Sequence, residues 1–177
     1  PEGVRPLLDG LVGEGLVEGV AGAYRLTGDG ATRGRELMAA DQARWGADSA
    51  LAALDAFLAL DHRMKETVTA WQLTESDGEP VLNDHTDPAY DARVLGRLAA
   101  LHDDAAAWLL PLVPRFGRLG TYHGRLERAL GLARDGDQRF VASPRVDSYH
   151  SIWFELHEDL ILLAGRNRAD EVAAGRA

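Results

Sequence analysis

The chain has 177 residues, no cysteine, 46% hydrophobic residues, and a formal net charge of −9 from 28 acidic and 19 basic side chains. That length suits one domain, or a small domain joined to a larger one, and it suffices to bury a core without cross-links. The ordinary apolar fraction excludes a disordered chain, and the missing cysteines exclude a disulfide framework, a thiolate zinc site and a thiol nucleophile. The acidic balance argues against a nucleic-acid binder with one broad basic face, while leaving room for a local basic contact. The start, Pro1-Glu2-Gly3-Val4-Arg5-Pro6, does not read as a signal peptide, and no apolar run approaches the ~18 residues of a membrane span. A cytoplasmic protein is expected. The absent initiator methionine and the opening directly into a helical pattern read as a fragment, or as a chain lacking its leading residues.

The first 36 residues hold nine of the 19 glycines. Val4, Leu7, Leu8, Leu11 and Val12 follow the i, i+3, i+4, i+7, i+8 spacing of one helix face, and Gly13 and Gly15 are positioned to stop that helix. Leu16-Val17-Glu18 reads as a strand, Gly19–Gly22 as a turn, and Ala23–Thr27 as the returning strand. Gly30–Trp45 reads as a helix capped by Thr27 or Asp29. Beyond Trp45 the pattern changes to long amphipathic helices. The spacing predicts them over Asp48–Trp71, Asp87–Leu110, Leu119–Arg134 and Asp147–Ala164, with Gly165 closing the last. Asp87-Pro88 is a cap followed by a first-turn proline. The stretches 75–80, 83–88 and 134–144 are predicted as loops from their polar, Gly and Pro content. The fold class is therefore mainly α: a helix plus a two-stranded wing over 1–46, then an antiparallel bundle of about four helices over 47–177. Residues 1–46 carry a net charge of −2 and residues 47–177 the other −7.

Leu8…Leu11, Gly15-Leu16-Val17-Glu18 and Gly22-x-Tyr24-Arg25-Leu26-Thr27, with Gly30 after them, carry a resemblance. The string is similar to the recognition helix and wing of MarR- or PadR-like winged helix-turn-helix regulators, over about a fifth of the chain. The resemblance implies a DNA-binding transcriptional regulator in which Arg5 meets a groove and the wing arginines Arg25, Arg33 and Arg35 meet phosphate. It also implies a homodimer and a helical half that dimerises or takes a small-molecule effector. Two departures stand against it. The helices that precede a recognition helix are absent, and the helix itself carries one base, Arg5, against Glu2, Asp9 and Glu14, whereas DNA affinity rests largely on phosphate neutralisation. A winged helix used only for packing or protein contact is the competing reading.

Among residues able to carry chemistry, six histidines stand out: His62, His85, His102, His123, His150 and His157. His150 and His157 lie seven apart on one predicted helix and are expected to share an apolar face with Trp153 and Phe154. Asp61 falls on the apolar seam of the first long helix with Lys65 one turn on, the favourable order for an ion pair. A charged pair in a bundle core can orient a polar ligand, so Asp61, Lys65, His150, Trp153 and His157 form the candidate ligand site. Trp71, Trp108 and Trp153 would line pockets in a hollow bundle, although aromatics at helical spacing are more often core. The loop Asp84-His85-Thr86-Asp87 groups three possible metal ligands, but turn and capping chemistry explains it more simply. No metal motif, nucleophile elbow or P-loop occurs. Gly28-Asp29-Gly30-Ala31-Thr32-Arg33-Gly34 fails the dinucleotide fingerprint. No catalytic residue, metal or cofactor is therefore assigned. Two alternatives to the regulator remain: a non-catalytic accessory module of a larger enzyme, of a phosphoenolpyruvate-utilising type, and a small helical enzyme using the His150/His157 face.

Overall fold

The computed structural model describes residues 3–76, 78–173 and 175. The chain divides into two compact units, one up to Ala47 and the other from Asp48 onward. Both are mainly helical, and each includes one two-stranded antiparallel hairpin.

The first unit opens with α1 (Val4–Gly13). The helix ends on Gly15 at φ 72°, where the Gly15 and Leu16 amides donate to the carbonyls of Val12 and Leu11. This is a Schellman stop, which needs the left-handed backbone that glycine adopts cheaply. Strands β1 (Val17–Val20) and β2 (Ala23–Leu26) follow, in the register Val17↔Leu26 to Val20↔Ala23. The turn between them is tighter than the sequence suggests. Only Ala21 and Gly22 form it, both at positive φ, and Gly19 is a strand residue opposite Tyr24. A two-residue turn with this handedness matches the twist of the flanking strands. Helix α2 (Gly28–Trp45) is capped by Thr27, whose hydroxyl accepts from the Gly30 amide at 3.0 Å and donates to the Gly15 carbonyl at 2.7 Å. Gly30 is required here, since a Cβ at that position would lie 1.9 Å from the Leu16 carbonyl oxygen. The apolar face of α1 forms as expected but stays exposed at Val4, Leu7, Leu11 and Val12. Of the acids weighed against Arg5, Glu2 lies outside the described residues.

Helix α3 (Ala47–Gln72), which belongs to the second unit from Asp48 onward, runs directly into the hairpin β3 (Leu73–Ser76) and β4 (Glu79–Leu82). Next come α4 (Pro88–Leu109), a 3-10 turn over Leu110–Leu112, α5 (Leu119–Arg134), α6 (Arg139–Ala142), α7 (Tyr149–Leu163) and α8 (Arg168–Ala173). Asp87 caps α4 by accepting from the Ala89 and Tyr90 amides, with Pro88 in the first turn. Ser148 caps α7 by accepting from the Ser151 amide. Gly165, at φ 69°, closes α7 as its position suggests. Helix α5 packs against both α4 and α7, and α6 bridges α5 and α7.

Two segments read as loops are more ordered than that. The stretch 75–80 is the tip of the β3–β4 hairpin, apart from Asp77, which lies outside the described residues. All four β4 residues are exposed, so no apolar alternation marked the strand in the sequence. The stretch 134–144 contains α6, a single helical turn anchored by the buried Val141. The core is formed where the seams of the four long helices meet, around Phe57, Met64, Leu98, Leu101, Leu126, Ile152, Trp153 and Leu156.

Candidate functional site

The helical unit brings Asp61, Lys65, Trp153 and His157 into one cluster, while His150, half-buried on the same helix as Trp153, takes no part in its hydrogen bonding. Asp61 on α3 is 5% exposed. Trp153 Nε1 on α7 donates to its Oδ1 at 3.0 Å, and Nδ1 of His157, also on α7, lies 3.5 Å from the same oxygen. The Lys65 ammonium, one turn along α3, donates to Oδ2 at 3.0 Å while remaining about half exposed. The carboxylate is therefore held by two helices. Its pair on α3 follows from the i,i+4 spacing, whereas its partners on α7 come from the fold. Burial alone would raise the Asp61 carboxyl. The hydrogen bonds from His157, Lys65 and Trp153, with the charge of His157, outweigh burial and bring it down to about 2. A buried carboxylate is tolerated on these terms because each oxygen meets a donor.

An aromatic column backs this cluster. Phe57 stacks on Trp153 with ring centroids 4.9 Å apart and meets His157 at 5.0 Å and Trp108 at 5.5 Å. Tyr149 stacks on Trp153 at 6.1 Å, and its hydroxyl lies 3.3 Å from His102 Nδ1. Burial is the main influence pushing the Tyr149 hydroxyl up and the His102 imidazole down, the latter helped by the charge of neighbouring His123. His157 is 3% exposed, and its Nε2 is buried without a hydrogen-bond partner among the described residues. His150 is half-buried. Burial pushes its imidazole below the ordinary value, against the opposing pull of Asp61.

One expectation needs correcting. Phe154 does not share the face of His157 and Trp153; it is 51% exposed and covered by the Arg168 guanidinium at 4.3 Å. The tryptophans of the bundle are packed side chains, as aromatics at helical spacing more often are. Trp153 is core, Trp108 packs on Phe57, and Trp71 is buried beside a cavity.

Lys65 connects the buried carboxylate to open space. It borders a recess of about 150 Å³ with Leu58, Asp61, His62 and Gly175. It also borders a groove of about 890 Å³ running over α3, the β3–β4 hairpin and α4, lined among others by Glu66, Tyr90 and Arg97. An ammonium has three hydrogens to donate and Asp61 takes one. A ligand oxygen entering from the groove would meet the remaining donors.

The four arginines assigned to DNA lie in the first unit and are all exposed: Arg5 on α1, Arg25 on β2, Arg33 and Arg35 on α2. Arg25 donates to Glu18 at 2.7 Å, Arg33 pairs with Glu36 at 3.3 Å, and Arg35 donates to the Thr32 hydroxyl.

A second polar centre escaped the sequence reading. In the loop 83–87, Asp84 accepts from the Thr86 amide and hydroxyl, and Asp87 caps α4, as turn chemistry predicts. His85 does something else. Its φ of 60° turns the side chain back, so that Nδ1 lies 2.9 and 3.1 Å from the two oxygens of Asp91 in the first turns of α4. The Asn83 side-chain amide donates to Asp91 and to the Trp71 carbonyl, and Gln138 reaches Asp91 from the neighbourhood of α6. The available signal was the polar density of Asn83-Asp84-His85-Thr86-Asp87 with Asp91 a turn beyond. Only the left-handed residue reveals the pairing. Among the described residues, no group of three His, Cys, Asp or Glu is placed to hold a metal ion, and no helix is long and apolar enough to cross a membrane.

Comparison with models of protein families, with curated proteins and with solved structures finds no match to this chain.

Proposed function

We propose that the protein is a cytoplasmic, ligand-responsive DNA-binding regulator that works as a homodimer. The helix–hairpin–helix unit contacts DNA through Arg5, Arg25, Arg33 and Arg35. The helical unit takes a small anionic effector at Lys65, beside Asp61 and the Trp153/His157 face. The observation that carries the reading is the exposure of all four arginines on one small unit built as a helix, a tight hairpin and a second helix. Those of them held by acids are in exposed pairs, which contribute little and yield readily to phosphate. The test is a shift assay on the gene's own upstream DNA across a salt series. Binding that weakens steeply with salt supports the proposal, and no shift at low salt overturns it.

A second reading is that the chain serves as an accessory module of a larger enzyme. The exposed apolar face of α1, with Val4 at 46% and Leu7 at 70%, favours contact with protein over contact with phosphate. DNA binding lost on Arg→Gln replacement but kept on Leu7→Ser would argue for the regulator.

A further inference from the structure

The Asp91–His85 pair opens on a cavity of about 560 Å³ that neither the arginines nor the Asp61 cluster uses. Nδ1 faces both Asp91 oxygens, which only accept, so it carries the imidazole hydrogen; Asn83 Nδ2, 3.2 Å from the same nitrogen, gives its two hydrogens to Asp91 and the Trp71 carbonyl. Nε2 takes no part in that pairing, and the His85 side chain lines the cavity. This is the geometry of a positioned general base. Trp71 packs against the ring, 4.5 Å away between centroids and tilted by 39°. Its backbone is held at φ 60°, an unusual conformation for a residue with a Cβ and one that concentrates at functional sites. Gln138, which reaches Asp91 with one amide hydrogen, and Arg139, paired with Asp137 through Nε and Nη2, line the cavity with Ser143 and keep further N–H groups, while Trp71, Leu73 and Leu82 supply apolar wall. Such a lining tolerates negative charge building on a bound oxygen.

We propose that this cavity is a hydrolytic site for small acyl esters, with His85 as the catalytic base and Asp91 as its positioning residue. His85 Nε2 takes a proton from water as the water oxygen adds to the ester carbonyl carbon. The oxyanion faces Gln138 and Arg139. On collapse, the acyl C–O bond breaks and the imidazolium returns the proton to the departing alkoxide. Ester and water go in, and acid and alcohol come out. The inference stands apart from DNA binding, and its test involves no DNA.

The test uses p-nitrophenyl acetate and the full chain. His85→Gly suits the left-handed backbone and leaves an imidazole-sized hole beside Trp71. It should lower the rate by roughly a hundredfold, the low end of what a positioned base contributes, with the helical circular dichroism of the parent retained. Added free imidazole should restore the rate saturably. Asp91→Asn should lower kcat more than it raises KM and alter the pH profile, while His123→Gln should match the parent. A His85→Gly rate equal to the parent, or a loss that imidazole does not rescue, overturns the proposal. Treating the unmutated protein with diethyl pyrocarbonate gives an answer independent of folding. Hydrolysis should fall in step with modification of His85, read by peptide mass, and full activity with His85 modified overturns the proposal.

Discussion

Trp153 and Asp61 stand 92 residues apart in the chain and meet at 3.0 Å, indole nitrogen to carboxylate oxygen, in the packed core of the helical unit. Trp153→Phe keeps the ring stacked on Phe57 but leaves Asp61 one donor short. It should cost about 1–3 kcal/mol in urea unfolding, the usual cost of a buried charged acceptor losing a partner. Asp61→Ala, which removes the acceptor, should cost a similar amount. The two should be sub-additive in a double-mutant cycle, because they remove the same contact. Full additivity would mean that the hydrogen bond contributes nothing.

The lowered Asp61 carboxyl sets an acid limit on stability. A group held at about 2 in the folded chain against an ordinary 3.8 stabilises fully above the ordinary value, and the contribution is lost as pH falls through the folded one. Between about pH 4 and pH 2 the native state should therefore lose about 2 kcal/mol that Asp61 supplies. The check is the slope of unfolding free energy in that window, which should flatten in Asp61→Asn.

Two glycines on α2 should answer the same substitution with opposite signs. Gly30→Ala drives a Cβ into the Leu16 carbonyl and should destabilise the first unit by about 2 kcal/mol or more. At Gly34 an added Cβ meets nothing within 4 Å, and Gly34→Ala should stabilise the helix by about 0.5–1 kcal/mol. Amide exchange of the β1–β2 hairpin and of α2 would read both.

If the exposed arginines meet phosphate, each of Arg25→Gln, Arg33→Gln and Arg35→Gln should lower the salt slope of DNA binding by about one, with little change of sequence preference. An unchanged slope in all three would move the contact elsewhere.

The helices were legible in the sequence because their apolar residues repeat at the helical period and their ends carry chemistry: Thr27, Asp87-Pro88, Gly15 and Gly165 each do what their residue type suggests. The Asp61–Lys65 pair was legible for the same local reason. Trp153 and His157 could be placed on one face of α7, but their meeting with Asp61 depends on how α3 and α7 pack, which no spacing encodes. The β3–β4 hairpin was hidden by its exposure, since a strand with no buried face shows no alternation. His85 was hidden by its backbone. Its contact with Asp91 is made from a residue at φ 60°, a conformation that residue spacing does not announce.

Lys65 is the one lysine among the chain's 19 basic side chains. The only side-chain amine in the molecule therefore sits a helical turn from the buried carboxylate, on the lip of the groove. An amine-directed label applied under conditions that spare the α-amino group would place a single reporter there without any substitution. Occupancy of the groove and acid loosening of the Asp61 cluster could then be followed as one optical signal.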